Sequence, residues 1–543
     1  MNLQRTLRRA KTRSSRSERL GHAPADSSPA WAWWAALAAV ALVRAPHAFG
    51  ARFFDADEAV NGLMGLSILR GEIPLYYWGQ GYFNPVAALL AAPFLAVLPS
   101  ARVATQCAPL LLHVAGVGLL AWLVGRAAGS RTAGLATLLA AALLPSPVGA
   151  LLMEQGVRTV TVLCGVATWA FVLAARPSPL AGFALGLCAG LGWWNEPSVL
   201  MFLVPAAWHI ASGWRRRRPG PGWLAATTAG IALGAGPHVY GVMNGLARNP
   251  PPPNWLHAVY PWPALSNLFG PVLSALLGAD MDPSAAGALG PALAACALVG
   301  AAAIATLTWF AHRERGPVGA TPRGLLLCAD GAAVMFVLAW VVLSGEWFGG
   351  RRYVLLLWPS VAVWAGLGGA ALWRRRRAAA GALLAIWTAA WGFGFTVHWR
   401  RAAAGEVPVT DAVALLEAEG VRGAFANYWA SNLITLETRE RIIVAQMTGV
   451  PLRHRAYYLK LDGLPGTGYL FDPARWPEDA GMKGAITAEL GRRRIRYRTA
   501  SRGEWDLVVP AGRGLPLSFI NDLRLARGRE EIRKLRDRIG GGR

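Results

Sequence analysis

The sequence predicts an α-helical polytopic membrane protein of about eleven spans with a small C-terminal α/β domain. Three observations predict it. Charged residues make up 15% of the chain and hydrophobic residues 54%, whereas a soluble globular chain carries about 25% charged residues; mean hydropathy is +0.34. The apolar residues gather into windows near the roughly 20 residues needed to cross a bilayer. The excess of basic residues, net +24, stands in short arginine blocks between those windows, the arrangement of cytoplasmic loops under the positive-inside rule.

The tail 1–29 is basic from Arg5 to Arg19 and runs into an apolar window at 30–50, which reads as a retained signal anchor. Further windows lie at 102–125, 131–150, 157–175, 180–195, 197–212, 222–242, 286–311, 324–344, 353–373 and 378–397, with a shorter one at 84–98. Parity decides the shorter one. If 84–98 crosses, the blocks at Arg126/Arg131 and Arg215–Arg218 are thrown outside. If it is an interfacial helix between Pro85 and Pro99, every block falls inside, the N-terminus is cytoplasmic and the C-terminus is extracytoplasmic. The outer face then receives loops 51–101 and 243–285, the turns 151–158 and 345–352, and everything from 398 to 543. The run Pro250–Pro253 reads as rigid polyproline II.

Past Trp399 the composition turns soluble. Val409 to Glu419 predicts an amphipathic helix; strands are expected at Gly423–Tyr428, Arg441–Ala445, Gly466–Phe471 and Trp505–Val509, and a charged helix at Arg529–Arg538. This divides the chain into a basic tail (1–29), a membrane module (30–397) and an extracytoplasmic α/β domain (398–543). All five cysteines lie in apolar segments, so no disulfide framework is implied in the outer domain. No basic stretch is interleaved with aromatics in a polar region, so the charge does not point to nucleic acid.

The chemistry-bearing residues begin directly after the first window, with Asp55-Ala56-Asp57-Glu58. Val60, Leu63, Met64 and Ile68 share one helical face, which predicts an amphipathic helix in the membrane surface ended by Gly71 and Pro74. A capping box of Asp55 and Glu58 explains two of the three acids; Asp57 is left over. Glu154 and Arg158 stand in the outer turn before the fourth span, where an i,i+4 pair is the plain alternative to a binding role. Glu196, in Trp193-Trp194-Asn195-Glu196-Pro197, either lines a cavity or sits in a simple turn. His238 and Tyr240 read as packing. Arg351 and Arg352 run against the positive-inside bias, although an interfacial anchor would also place arginines there.

The acidic cluster followed by Gly71-Glu72-Ile73-Pro74-Leu75-Tyr76-Tyr77-Trp78-Gly79-Gln80-Gly81-Tyr82 resembles the first loop of the GT-C membrane glycosyltransferases. Within them it is similar to glycosyltransferase family 39 and the dolichyl-phosphate-mannose–protein mannosyltransferases. Gly350-Arg351-Arg352-Tyr353 leading to Trp358-Pro359 resembles that family's turn into a late span, and Ala426-Asn427-Tyr428-Trp429-Ala430 an outer domain of some bacterial members. One departure is Asn84-Pro85, where a histidine–proline pair would be expected. The resemblance implies a polyprenyl-phosphate sugar as donor, an extracytoplasmic site, and a protein, lipid or glycan acceptor. A phosphate leaves as a stable anion, so one carboxylate acting as general base suffices; positive charge must meet the phosphate. Asp57 is then the expected base and Glu58 a second catalytic acid that positions the acceptor. Asp55, Tyr82, Glu154, Arg158, Arg351, Arg352 and Tyr353 are the expected substrate-binding residues. Clustered acids can hold a divalent metal such as Mg²⁺ or Mn²⁺, but no second acidic cluster accompanies the first, so none is expected to be required. The competing reading is a transporter or flippase, which would want ionisable groups within the spans rather than gathered at one face.

Overall fold

The computed structural model describes residues 30–50, 54–142, 148, 156–173, 177–217, 220–247, 262–268, 276, 290–313, 320–343, 351–403, 409–448, 453–462 and 464–525. The membrane module is built of helices. The first loop separates α1 (Ala30–Phe49) from α4 (Ala101–Ala128) and contains α2 (Ala56–Leu69) and α3 (Val86–Val97). There follow α5 (Arg131–Ala142), α6 (Gly156–Leu173), α7 (Pro179–Asn195), α8 (Leu200–Arg217), α9 (Pro221–Met243), α10 (Gly290–Arg313), α11 (Ala320–Leu343), α12 (Trp358–Arg375) and α13 (Arg377–Ala403). Among the described residues, five helices are long and apolar enough to cross a membrane: Trp31–Phe49, Ala101–Ala128, Gly156–Leu173, Ala294–Arg313 and Pro322–Val341. Helix α3 has 12 residues, about 18 Å at the helical rise, short of a hydrocarbon core of about 30 Å.

Bulk and its absence set the packing. Val124, Trp169, Phe202, Phe336, Trp340 and Trp358 fill the centre of the module. Helices α7 and α9 meet differently, backbone against backbone. A Cβ at Gly186 would lie 2.0 Å from the Thr227 carbonyl oxygen, and one at Gly230 would lie 2.2 Å from that of Phe183. Only glycine permits this approach, the small-residue packing favoured where lipid offers no hydrophobic drive. One polar cluster joins three helices of the module: the Asp330 carboxylate pairs with His312 at 2.9 Å and accepts from the Trp364 indole N–H at 2.8 Å.

The C-terminal domain is an α/β sandwich. Helix α14 (Thr410–Ala418) leads to β1 (Gly423–Ala426), α15 (Tyr428–Glu437), β2 (Ile443–Gln446), α16 (Arg455–Leu461), β3 (Gly468–Phe471), α17 (Glu478–Arg492), β4 (Tyr497–Arg502) and β5 (Trp505–Pro510). The sheet order is β2-β1-β3-β5-β4, parallel across the first three strands and antiparallel thereafter. Phe425, Tyr469, Leu470, Phe471, Leu507 and Val508 form its buried centre. The four expected strands are present within a few residues of their expected ends. The unexpected one, β4, is largely exposed. Its sequence Tyr-Arg-Thr-Ala-Ser-Arg has no apolar alternation to announce it. The expected helix at Arg529–Arg538 and the run Pro250–Pro253 lie outside the described residues.

One expectation is corrected. Helix α2 does not present an apolar face to one side and a polar face to water; Ala56, Glu58, Ala59, Val60, Asn61, Gly62, Leu63, Met64, Gly65 and Ser67 are all buried. The reason is the C-terminal domain, whose α15 packs on α2 alongside α4. A Cβ at Gly62 would lie 2.4 Å from the Thr105 hydroxyl and 2.7 Å from the Leu436 methyls. Charged contacts fix the docking. Arg439 donates to the carbonyls of Leu95 (3.0 Å) and Leu98, Arg70 pairs with Glu440, and Arg102 lies 3.6 Å from Glu437. Arg439 and Glu440 both hold left-handed backbone, φ 47° and 62°. That conformation costs free energy in a non-glycine residue, and here it turns both side chains to the first loop.

Candidate active site

The site grows from the N-terminus of α2. Asp55 is the N-cap: its Oδ1 accepts from the amides of Asp57 (2.7 Å) and Glu58 (3.3 Å), and the Glu58 carboxylate accepts from the Asp55 amide at 3.3 Å. This reciprocal box satisfies helix-end donors that have no intrahelical partner. Burial raises the Asp55 carboxyl above its usual range, with the neighbouring Asp57 charge adding to the rise. Asp55 and Glu58 are therefore engaged with the helix end itself, and Glu58 is 2% exposed. Asp57 points elsewhere.

The Asp57 Oδ1 accepts from the Arg453 guanidinium at 2.7 Å and from the Tyr428 hydroxyl. Both partners come from the C-terminal domain: Tyr428 opens α15, and Arg453 follows β2 just before α16. The guanidinium also donates to the Tyr428 oxygen from Nε at 3.1 Å and lies 5.3 Å from the ring centres of Tyr77 and Tyr428. With its amide oxygen facing inward, Gln80 accepts from Arg453 at 2.9 and 3.2 Å. Tyr77 donates to the Asp57 carbonyl at 2.7 Å. The loop that carries Tyr77 and Gln80 turns at Gly79, φ 75°, a conformation glycine adopts without steric cost. A buried guanidinium is tolerable only when paired and hydrogen-bonded, and every partner here is in place. Burial alone would lower Arg453, but Tyr77, Asp57 and Tyr428 outweigh it and raise it. Burial first, then the Asp57 charge, holds the Tyr77 and Tyr428 phenols above their ordinary value, so both stay protonated donors.

A second group of charges lies alongside. Arg158, at the start of α6, is 3.8 Å from Glu196, the residue that ends α7. Its guanidinium lies over the Tyr353 ring at 4.6 Å and the Phe83 ring at 5.7 Å. Asn195 beside it donates to the Val157 carbonyl and the Thr161 hydroxyl, both at 2.7 Å, which clamps the ends of α6 and α7 together. Tyr82 lies within the field of Arg158, Glu196, Tyr353 and Arg453, and burial raises its phenol. The charge of Asp57 is likewise felt at Arg158. Tyr76 joins the loop to α9 through His238, at 3.1 Å to both its ring and its carbonyl.

The structure thus brings Asp57, Tyr82, Arg158 and Tyr353 together and commits Asp55 and Glu58 to the cap. Arg158 has Glu196 as its ion-pair partner. Glu154 lies outside the described residues, as do the side chains of Arg351 and Arg352, whose backbone begins the 3-10 turn Arg351–Leu356. Sequence reasoning missed Arg453, Tyr428, Tyr77 and Gln80 as site residues. Tyr77 and Gln80 stood in the first-loop motif, but Arg453 lies 396 positions from its carboxylate and no local pattern marks it. Among the described residues no group of three or more His, Cys, Asp or Glu side chains is placed to hold a metal ion.

This arrangement of a helical module, a first loop with a helix-capped acid and a docked terminal domain is the fold of the GT-C membrane glycosyltransferases. The chain is similar to ArnT from Cupriavidus metallidurans in the apo state, with a TM-score of 0.58 at 14% identity over 89% of this chain and 98% of that one. Against ArnT bound to undecaprenyl phosphate the TM-score is 0.55, with the same identity and coverage. The oligosaccharyltransferase AglB from Archaeoglobus fulgidus, in complex with an inhibitory peptide and a dolichol-phosphate, gives 0.41 at 13% identity over 82% of this chain and 70% of that one. No family model matches the chain, and no curated protein matches it in sequence.

Proposed function

We propose that the protein transfers a sugar from a polyprenyl-phosphate donor to an acceptor hydroxyl on a protein, lipid or glycan at the extracytoplasmic face of the membrane. The observation that carries this reading is the placement of Asp57, a carboxylate at a helix N-terminus with two buried guanidinium groups nearby. The ArnT likeness, with undecaprenyl phosphate bound to that protein, supports a lipid-phosphate donor. In the proposed reaction Asp57 takes the proton of the acceptor hydroxyl as its oxygen bonds to the anomeric carbon. The bond from that carbon to the donor's phosphate oxygen breaks, and the phosphate leaves with the electron pair. One displacement inverts the anomeric configuration. Arg158, with Tyr82 and Tyr353 beside it, is suited to balance the charge gathering on the phosphate, since charge-assisted hydrogen bonds in a water-poor site count for more than in solvent. No second acidic cluster in the sequence accompanies Asp55–Glu58 to hold a divalent cation, so transfer is expected to persist after chelation of divalent metals.

In this reading the arginine blocks argue for a cytoplasmic N-terminus and a C-terminal domain outside. The test is Asp57→Asn. A general base contributes roughly a hundred- to ten-thousandfold, so mass spectrometry of lipid and glycan products should show transfer falling by that factor while the folded protein persists. Near-normal turnover in this variant would remove Asp57 from the role.

A further inference from the structure

The Asp57 Oδ1 is engaged by a guanidinium and a phenol, and an acceptor hydroxyl brought to that oxygen must compete with both. Arg453, conversely, is a cation built into the site from another domain, with Asp57 supplying its only carboxylate contact among the described residues. An anion brought to this group competes with Asp57 for the same N–H donors.

We propose that the Asp57–Arg453 pair is a substrate-operated latch. The phosphate of the lipid donor displaces Asp57 from Arg453, and the carboxylate so released becomes the base for the acceptor. The proposal rests on the donor reading above and extends it to the order of events: acceptor deprotonation follows donor binding. Arg453 acts on the phosphate directly and on Asp57 by letting go of it. No covalent bond changes in the exchange; one charge-assisted hydrogen bond replaces another. Three features fit this role. The guanidinium carbon lies 5.3 Å from the ring centres of Tyr77 and Tyr428, contacts that do not depend on which anion it holds. Gln80 and Tyr428 offer neutral acceptors that hold it during the exchange. Tyr428 bridges the two charges, its oxygen accepting from Arg453 while its hydroxyl donates to Asp57.

The latch makes a prediction that a purely structural ion pair does not. Removing the competing carboxylate should tighten the binding of a lipid phosphate. Undecaprenyl phosphate titrated into the full-length protein in detergent is the probe. Asp57→Asn should bind it roughly ten- to a hundredfold more tightly than wild type, the range of a hydrogen bond to a charged group. Arg453→Gln should bind it more weakly by a similar factor, with Arg453→Lys between the two. The double variant should match Arg453→Gln, because the carboxylate acts only through the arginine. If Arg453→Gln does not fold, Arg453→Lys and Asp57→Asn still decide the matter. An Asp57→Asn protein that is folded yet binds no more tightly than wild type overturns the latch. Wild type that binds and transfers, with Arg453→Gln binding equally well, overturns the latch alone. Wild type that binds no lipid phosphate overturns the donor reading with it.

Discussion

Asp55, Asp57 and Glu58 lie within a single turn, yet their side chains leave it in different directions. Asp55 and Glu58 close on each other's amides, and Asp57 reaches the C-terminal domain. This separates two predictions. Glu58→Gln keeps a side chain able to complete the capping box, so transfer should stay within a few-fold of wild type; loss on the scale of Asp57→Asn would give Glu58 a direct part in the chemistry. Asp55→Ala removes the cap and should cost about 1 kcal/mol of stability, read as a lowered thermal midpoint. The cap was legible in the spacing of the two acids, and Asp57 stood out as the acid the cap did not explain. Its partner was not legible, because Arg453 lies among arginines in a basic stretch and only the tertiary fold selects it.

At the scale of elements, α2 is the interface between the membrane module and the terminal domain. Its apolar period was visible in the sequence, but a period shows which face is greasy and not how many neighbours will cover the helix. Gly62 marks the extra neighbour. An alanine there already forces a shift of the Leu436 methyls and of the buried Thr105 hydroxyl, which donates to the Ala101 carbonyl at 2.8 Å, and Gly62→Leu cannot be accommodated with α15 in place. The expected result is loss of transfer with the membrane module intact, and faster hydrogen exchange in α15. Asn427 has a comparable part on the other side of the interface. It caps α15 through the Ala430 amide at 3.0 Å and donates to Asp479 at 2.9 Å, fixing the helix end from which Tyr428 reaches Asp57. The strands of the domain were readable from apolar runs; β4 was not, since an exposed edge strand carries no such run.

For the whole molecule, the terminal domain supplies Tyr428 and Arg453 to the candidate site, and its stability is expected to depend on pH through that same helix end. Burial raises the Asp479 carboxyl from 3.8 to about 6. The native domain therefore holds this proton more tightly than the unfolded chain. The stabilisation is fully present below about pH 4 and is lost as pH rises through about pH 6. Hydrogen exchange of β1 and α15, corrected for intrinsic rates, should show protection in wild type decreasing across that window. Asp479→Asn should flatten the dependence, and an unchanged profile would remove Asp479 as its source. The membrane module was legible as a series of apolar windows, while the docking of the domain rests on contacts such as Arg70–Glu440 that join residues hundreds of positions apart.

The distance along the chain between Asp57 and Arg453 also orders events in time. A ribosome makes the acid first and its arginine only after all the membrane helices have emerged. Until the C-terminal domain has been made and folded onto the first loop, the nascent protein holds a carboxylate without its cation. The contact that ties the two ends of the chain together is therefore among the last to form.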